Sequence, residues 1–344
     1  MMPERYLIIW VIFLASFLQM KAQEIDLAEV DHWLYLIDVN LEQKTVEQIV
    51  DSTYDMVVLD FISSEENNTD YPMEDVINQL HDAPHPKLVI AYIDIGQAES
   101  YRTYWQSGWE VGNPEWIVSA DPDGWEENFP VAYWYDEWHS IWLGDDGYLQ
   151  GILDAGFDGV YLDWVEAYSD ETVANFAEEQ GLDPLQEMIW WVTDIADFTQ
   201  EQNSDFVVIG QNATELVEYD EYLDAIDAIA QEQVWFDGGA DNLPPGDCPL
   251  PRTDAEIDTQ AYRDSLSPAC QDMFDDYPES TLHVSSEEYL SYLTLAKDRG
   301  ILVFTIDYAL NPENIMWVYN TSRESGFIPF ISNRALDSYI DPIP

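Results

Sequence analysis

The sequence has few basic residues and few cysteines. Only 11 Lys and Arg stand against 69 Asp and Glu in 344 residues, which gives a formal net charge of −58. A chain this poor in cations lacks the basic face that replaces phosphate counterions, so sequence-independent binding of nucleic acid is excluded. We attribute most of this charge to a solvated acidic surface, as in proteins that work at high salt. Attraction of a cationic substrate is a second, compatible explanation.

Long hydrophobic runs are also scarce. The longest covers residues 6–18, directly after Arg5. It is shorter than the roughly 20 residues of a membrane-spanning helix and fits the apolar region of a secretory signal. We predict a signal peptide over residues 1–23, with an uncleaved anchor as the alternative. A secreted or cell-surface protein follows, with no other membrane segment.

Export bears on the two cysteines, Cys248 and Cys270. In an oxidising compartment they are expected to form a disulfide, with two free buried thiols as the alternative. No CxxC motif or cluster of histidines accompanies them, so we expect neither a metal nor a cofactor.

Hydrophobic residues make up 47% of the chain, enough for a large core. Short apolar runs alternate with segments of helical pattern, which is typical of βα units around a parallel sheet. Helices are predicted at 73–81, 148–155, 183–201, 215–223 and 286–299. The eight predicted strands are 32–39, 56–62, 88–95, 159–164, 206–211, 228–234, 301–307 and 327–332. This pattern predicts an α/β fold, a (β/α)8 TIM barrel.

Two long connections interrupt the barrel pattern. Residues 99–147 and 237–283 follow the third and sixth strands, and neither has enough periodic apolar sequence for a separate core. We predict that both are loops at the C-terminal rim of one domain, residues 24–344, where such barrels keep their active sites. We expect this domain to be a monomer.

Several predicted strands end in a polar residue. These residues are Asp38, Asp60, Asp94, Asp163, Asn212, Glu232 and Asp307. In a barrel they would converge on one rim, and carboxylates in one cleft have pKa values pushed apart, as general acid catalysis at a glycosidic oxygen requires. Helix caps and turn formers are the alternative explanation. The sequence carries no Gly-rich phosphate loop, GxSxG or HExxH motif. Carboxylates are therefore the remaining candidates for the catalytic groups.

The connection between the third and fourth strands is rich in Trp and Tyr. These rings would stack on sugar faces or, alternatively, pack the loop itself. They are Tyr101, Tyr104, Trp105, Trp109, Trp116, Tyr133, Trp134 and Trp138.

Four segments in order resemble glycoside hydrolase family 114, whose type activity is endo-α-1,4-polygalactosaminidase. They are AYIDIGQAESYRTYW at 91–105, NPEW at 113–116, FPVAYWYDEW at 129–138 and AGFDGVYLD at 155–163. The resemblance implies endo-hydrolysis of a galactosamine-rich, partly cationic polysaccharide. Asp94 and Gln97 stand where relatives commonly carry Ser and Glu, and the insertion after Glu232 is long. Both departures concern substrate identity more than reaction type.

In that family the paired carboxylates end the fourth and sixth strands, which here match Asp163 and Glu232. We expect polar neighbours to keep Asp163 ionised, with Glu232 as the acid. The residues expected to bind substrate are Asp60, Tyr92, Asp94, Tyr133, Trp134, Asn212 and Asp307. The alternatives are a hydrolase of another extracellular polysaccharide, a non-catalytic carbohydrate-binding barrel, or a scaffold protein.

Overall fold

Eight parallel strands form the centre of the molecule. The structure is a computed structural model, which describes residues 26–37, 39, 41–62, 71–122, 124–238, 246–278 and 280–343. The predicted signal peptide and Asp38 lie outside these residues. The strands are β1 Trp33–Leu36, β2 Met56–Asp60, β3 Leu88–Asp94, β4 Gly159–Asp163, β5 Val207–Gln211, β6 Ala228–Glu232, β7 Leu302–Asp307 and β8 Ile328–Ile331.

These strands pair in chain order from β1 to β8. Every ladder between neighbours is parallel, and the Trp33 indole N–H donates to the Ile328 carbonyl at 3.1 Å, which links β1 to β8. The result is a nearly closed barrel with flanking helices, so the predicted TIM barrel is confirmed. The strands themselves are shorter than predicted at several ends.

The helices surround this barrel. They are α1 Gln43–Asp51, α2 Met73–His81, α3 Asp136–Trp142, α4 Tyr148–Ala155, α5 Glu171–Gln180, α6 Pro184–Gln200, α7 Asp220–Ala225, α8 Gln260–Ser265, α9 Pro268–Asp276, α10 Ser286–Asp298 and α11 Pro312–Ser325. The predicted helix at 215–223 is wrong in one respect. The backbone is extended at Tyr219 (φ −101°, ψ 119°), which separates a short 3-10 segment, Thr214–Glu218, from α7. Among the described residues no helix has the length and apolarity to cross a membrane.

Aromatic side chains fill the barrel interior. Trp33 and Tyr35 of β1 pack against Tyr161 of β4, and Trp33 also contacts Phe304 of β7 and Phe330 of β8, with ring centroids 4.9–6.2 Å apart. Rings from strands on opposite sides can meet only inside the barrel. This packed layer closes the centre below the C-terminal rim.

The two long connections contain their own local structure. The first holds an antiparallel ribbon, Gln97–Glu99 with Asn128–Pro130, followed by α3. The second holds α8, α9 and the disulfide between Cys248 and Cys270, whose side chains are buried in a small separate apolar cluster. Both connections follow the predicted strands, β3 and β6, at the rim that carries the polar strand ends.

Candidate active site

The C-terminal rim collects the polar strand-end residues. Asp60, Asp94, Asp163, Glu232 and Asp307 are the last residues of β2, β3, β4, β6 and β7. Asn212 follows β5 directly. Because parallel strands of a barrel all end on the same side, these groups share one end of the molecule. Their contacts separate groups that can perform chemistry from groups that hold loops.

Asp163 accepts hydrogen bonds from two donors. The Tyr92 hydroxyl donates to Oδ2 at 2.5 Å, and the Trp164 backbone N–H donates to Oδ1 at 2.8 Å. Both bonds favour the ionised carboxylate. Burial and the negative charge of Glu232 outweigh them and raise the pKa of Asp163 from 3.8 to about 7. The polar neighbours on which we based an ionised Asp163 are therefore present, but they are not dominant.

Glu232 is held by side chains of neighbouring strands. The Gln211 amide donates to Oε2 at 2.7 Å, the Asn212 amide donates to the same oxygen at 3.4 Å, and the Tyr308 hydroxyl donates to Oε1. Gln211 in turn accepts a hydrogen bond from the Tyr35 hydroxyl at 3.0 Å. This set of donors fixes the carboxylate at the top of the aromatic layer.

The carboxyls of Asp163 and Glu232 interact electrostatically. The charge of Glu232 is the second cause, after burial, of the raised pKa of Asp163. With a pKa of about 7, Asp163 can hold or release a proton near neutral pH, as a catalytic acid or base must.

The backbone turns sharply after β4, β5 and β6. Trp164, Asn212 and Gln233 have φ values of 56°, 57° and 56°, in the left-handed region that residues other than glycine rarely adopt. Each such residue costs roughly 1–3 kcal/mol and persists only where its surroundings enforce it. Trp164 packs closely against Gly96. A Cβ at position 96 would lie 2.3 Å from the Trp164 carbonyl oxygen, so this backbone conformation depends on a glycine there.

A third carboxylate, Glu166, was missed by the sequence analysis. It lies in the 3-10 segment Val165–Ser169, three residues after Asp163, and Oε1 accepts from the Asn212 amide at 2.9 Å. Burial, followed by the charge of Asp163, raises the pKa of Glu166 to about 8. Its position close behind the strand-end aspartate was the only available signal, because this acidic chain has many such glutamates.

Asp94 and Asp307 hold loops. Asp94 Oδ1 accepts from the backbone N–H groups of Gly96 and Gln97 at 3.1 and 2.7 Å, and Asp307 Oδ1 accepts from those of Trp235 and Phe236 at 2.7 and 2.9 Å. Both aspartates are buried, with exposures of 1% and 0%. Both carboxylates support the loops after β3 and β6, and their contact with substrate stays a prediction.

Asp60 belongs to a buried ionic cluster. Its carboxylate lies 2.8 Å from Nη2 of Arg102, whose Nε lies 2.7 Å from Glu99. The Arg102 guanidinium also lies 5.9 Å from the centroid of the Tyr92 ring. Asp60 is thus paired with a protein cation, beside the tyrosine that donates to Asp163.

Tyr133 and Trp134 pack against the outer helices. Tyr133 is fully buried, and its hydroxyl donates to the Pro184 carbonyl at 2.6 Å. The Trp134 indole N–H donates to Gln180 at 3.2 Å, and its ring packs on Phe176. A buried ring contacts a sugar only after rearrangement, and the substrate role expected for Tyr133 stays a prediction.

The other rim aromatics mostly pack against one another. Trp116 and Trp138 are buried, with ring centroids 5.2 Å apart, and Trp105 and Trp109 stack edge to face at 5.3 Å. Tyr101 is more accessible than Trp116 and Trp138, with 38% of its surface exposed. The alternative of loop packing therefore holds for most of this group. In the part of the chain that the structure describes, no His, Cys, Asp or Glu side chains are grouped so as to hold a metal ion.

Comparison with known proteins identifies the family. The sequence profile of glycoside-hydrolase family GH114 matches residues 17–342. The chain belongs to this family. As a GH114 member it is a glycoside hydrolase.

Two relatives from other organisms match most of the chain. The chain is 32% identical over 314 residues to an uncharacterized protein of Deinococcus radiodurans, covering 91% of this chain and 84% of the relative. An uncharacterized protein of Methanocaldococcus jannaschii is 29% identical over 321 residues, covering 89% and 77%.

Two solved structures share the fold. Ega3 of Aspergillus fumigatus, in complex with galactosamine, has a TM-score of 0.57 and 13% identity, covering 91% of this chain and 95% of the other. The glycoside hydrolase domain of PelA from Pseudomonas aeruginosa has a TM-score of 0.56 and 14% identity, covering 90% and 97%. At this identity the similarity shows the fold alone.

Proposed function

We propose that this GH114 enzyme is exported and cleaves internal bonds of a galactosamine-rich polysaccharide, using Asp163 and Glu232 as its catalytic carboxyls. The observation that carries the proposal is the pair of strand-end carboxyls, each held by its own hydrogen bonds, with the charge of Glu232 felt by Asp163. A carboxyl with a pKa of about 7 can serve as acid or base near neutral pH, and glycoside hydrolysis uses two carboxyls in different roles.

The reaction uses one carboxyl in its protonated form and the other in its ionised form. The protonated carboxyl donates to the glycosidic oxygen as the bond to the anomeric carbon breaks, and the leaving sugar departs with that proton. The ionised carboxyl acts at the anomeric carbon, either directly or by removing a proton from an attacking water. Our preferred assignment from sequence makes Glu232 the acid, and the raised pKa of Asp163 makes the reverse assignment the one to test against it.

Charge supports a cationic substrate. The rim joins Glu166 and Glu232 through the Asn212 amide, and the charge of Asp163 acts on Glu166. The whole chain carries a net charge of −58. A field of this sign attracts amino sugars that carry ammonium groups. The galactosamine bound to Ega3, a protein of the same fold, agrees with this choice.

A reducing-end assay tests the substrate. Purified protein is incubated with deacetylated galactosaminan, its acetylated form and a neutral galactan, with the Glu232→Gln variant as a blank. We expect release of reducing ends from the deacetylated polymer, with a rapid fall in chain length that marks internal cleavage. Equal release by enzyme and variant, or no release from any galactosamine polymer, contradicts the proposal. Cleavage of another polysaccharide alone supports the alternative substrate.

Export is tested separately. Expression of the full chain in a bacterial host, followed by N-terminal sequencing of protein from the medium or periplasm, is expected to show a start near residue 24. A protein that stays intracellular with an intact N-terminus contradicts export, and an intact membrane-bound form supports the uncleaved anchor.

A further inference from the structure

We propose that Glu166 is a positioning residue that aligns the Asn212 amide on Glu232 and so links the two catalytic strands. This inference rests on the proposed roles of Asp163 and Glu232. Glu166 lies on the 3-10 segment that follows Asp163, whereas Asn212 directly follows β5 and Glu232 ends β6. Through Asn212, Glu166 therefore connects the loop after β4 to the carboxylate that ends β6.

The hydrogen bonds of Asn212 have one consistent arrangement. Its Nδ2 donates to Glu166 Oε1 at 2.9 Å and to Glu232 Oε2 at 3.4 Å. Its Oδ1 accepts from the Glu232 backbone N–H and from Gln231 Nε2, both at 3.1 Å. The two acceptor contacts fix which side of the amide is oxygen, so the NH2 group must point toward the two carboxyls.

Asn212 adopts this position at a cost. Its φ of 57° lies in the left-handed region, and the next residue, Ala213, has φ 48°. Two consecutive residues in that region need contacts that hold them. Glu166 supplies the shorter of the two bonds to the Asn212 NH2 group and does so from a separate loop.

The second carboxyl oxygen of Glu166, Oε2, does not face the solvent. Oε2 is buried and has no hydrogen-bond partner among the residues that the structure describes. A substrate group could reach this atom only if the site opened, so direct contact of Glu166 with the reacting sugar is disfavoured. The bond to Asn212 connects Glu166 to the Glu232 side of the rim, and the effect of Glu166 on the reaction is expected to pass through that bond.

The test compares two substitutions of Glu166. Glu166→Ala removes the acceptor, and we expect kcat to fall about 10- to 100-fold, the range for a buried donor left without its partner. Glu166→Gln keeps a carbonyl oxygen for Asn212 and is expected to stay within about threefold of the unchanged enzyme. Glu171→Gln, an exposed position in the first turn of α5, is the matched control and leaves kcat unchanged.

A double variant tests the route through Asn212. If Glu166 acts through this residue, adding Glu166→Ala to Asn212→Ala lowers kcat no more than about twofold further. A merely structural role would leave the two effects multiplicative. Thermal unfolding verifies that each variant is folded, and Glu166→Met, which fills the same volume without an acceptor, replaces the alanine variant should that one unfold.

Three results overturn the inference: full activity of Glu166→Ala, equal loss in the Ala and Gln variants, or multiplicative effects in the double variant. These outcomes are distinct from failure of the proposed function. That failure would show as unchanged activity in Asp163→Asn and Glu232→Gln, whatever the Glu166 variants do.

Discussion

Removal of the Tyr92 hydroxyl should shift the pH dependence of the reaction upward. In the structure this hydroxyl donates to Asp163 Oδ2 at 2.5 Å and lowers the pKa of Asp163 against the opposing effects of burial and Glu232. Tyr92→Phe keeps the ring and loses only the donor. A hydrogen bond to a charged group contributes about 1.5–3 kcal/mol, and 1.36 kcal/mol corresponds to one pH unit. The ionisation of Asp163 should therefore move from about 7 to a value roughly 1–2 units higher.

The assay is the pH profile of kcat/KM on a soluble galactosamine oligomer from pH 4 to 10. The limb that moves also assigns the role of Asp163. Displacement of the alkaline limb shows that Asp163 must be protonated and is the acid, whereas displacement of the acidic limb shows that it must be ionised and that Glu232 is the acid.

Tyr54→Phe is the matched control. The Tyr54 hydroxyl donates to the Ile340 carbonyl, and Tyr54 precedes β2, at the end of the barrel opposite the site. Its profile should match that of the unchanged enzyme. If neither limb moves in Tyr92→Phe, or if a limb moves downward, the electrostatic account of Asp163 is refuted.

Three further predictions concern stability. Arg102→Met leaves Asp60 and Glu99 without their buried cation and should lower the free energy of unfolding by about 3–5 kcal/mol in urea titration; a loss below 1 kcal/mol would contradict the buried cluster. The Asp158 carboxylate, 2.8 Å from His81, raises the pKa of this histidine above 6.5, so its contribution is complete below pH 6.5 and is lost as the pH rises through the folded value. In urea titrations between pH 5.5 and 8.5, His81→Asn should make the free energy of unfolding depend less on pH. An unchanged pH dependence would refute this. The net charge is −58, and salt screens the repulsion among the acidic side chains. Raising NaCl from about 0.1 to 1 M should therefore raise the melting temperature more than an uncharged osmolyte does. A lower melting temperature in 1 M NaCl would contradict this explanation.

The barrel could be predicted from sequence because its signal is local. Each strand is a short run of apolar residues, and helical or polar segments separate the runs, so the eight strands needed no long-range information. Helix ends with clear caps were also accessible, as at Ser285 before α10. The break at Tyr219 was missed because the apolar spacing continues across it.

The site was predictable in part. That the polar residues end the strands follows from the pattern, but what each one contacts depends on residues distant in sequence. Asp307 accepts from backbone groups more than 70 positions earlier, and Asp60 is paired with Arg102 from another connection. Such contacts give Asp307 a loop-supporting role and Asp60 an ion pair, neither of which the strand pattern reveals. Glu166 was missed for the same reason, since only the fold brings it to Asn212.

The most direct measurement is the rate of reducing-end release by Asp163→Asn and by Glu232→Gln, each verified as folded and compared with the Glu171→Gln control. The account predicts that each substitution alone lowers kcat by about a thousandfold or more, while the control keeps full activity. Activity within tenfold of the unchanged enzyme in either variant would contradict the claim that this pair performs the hydrolysis.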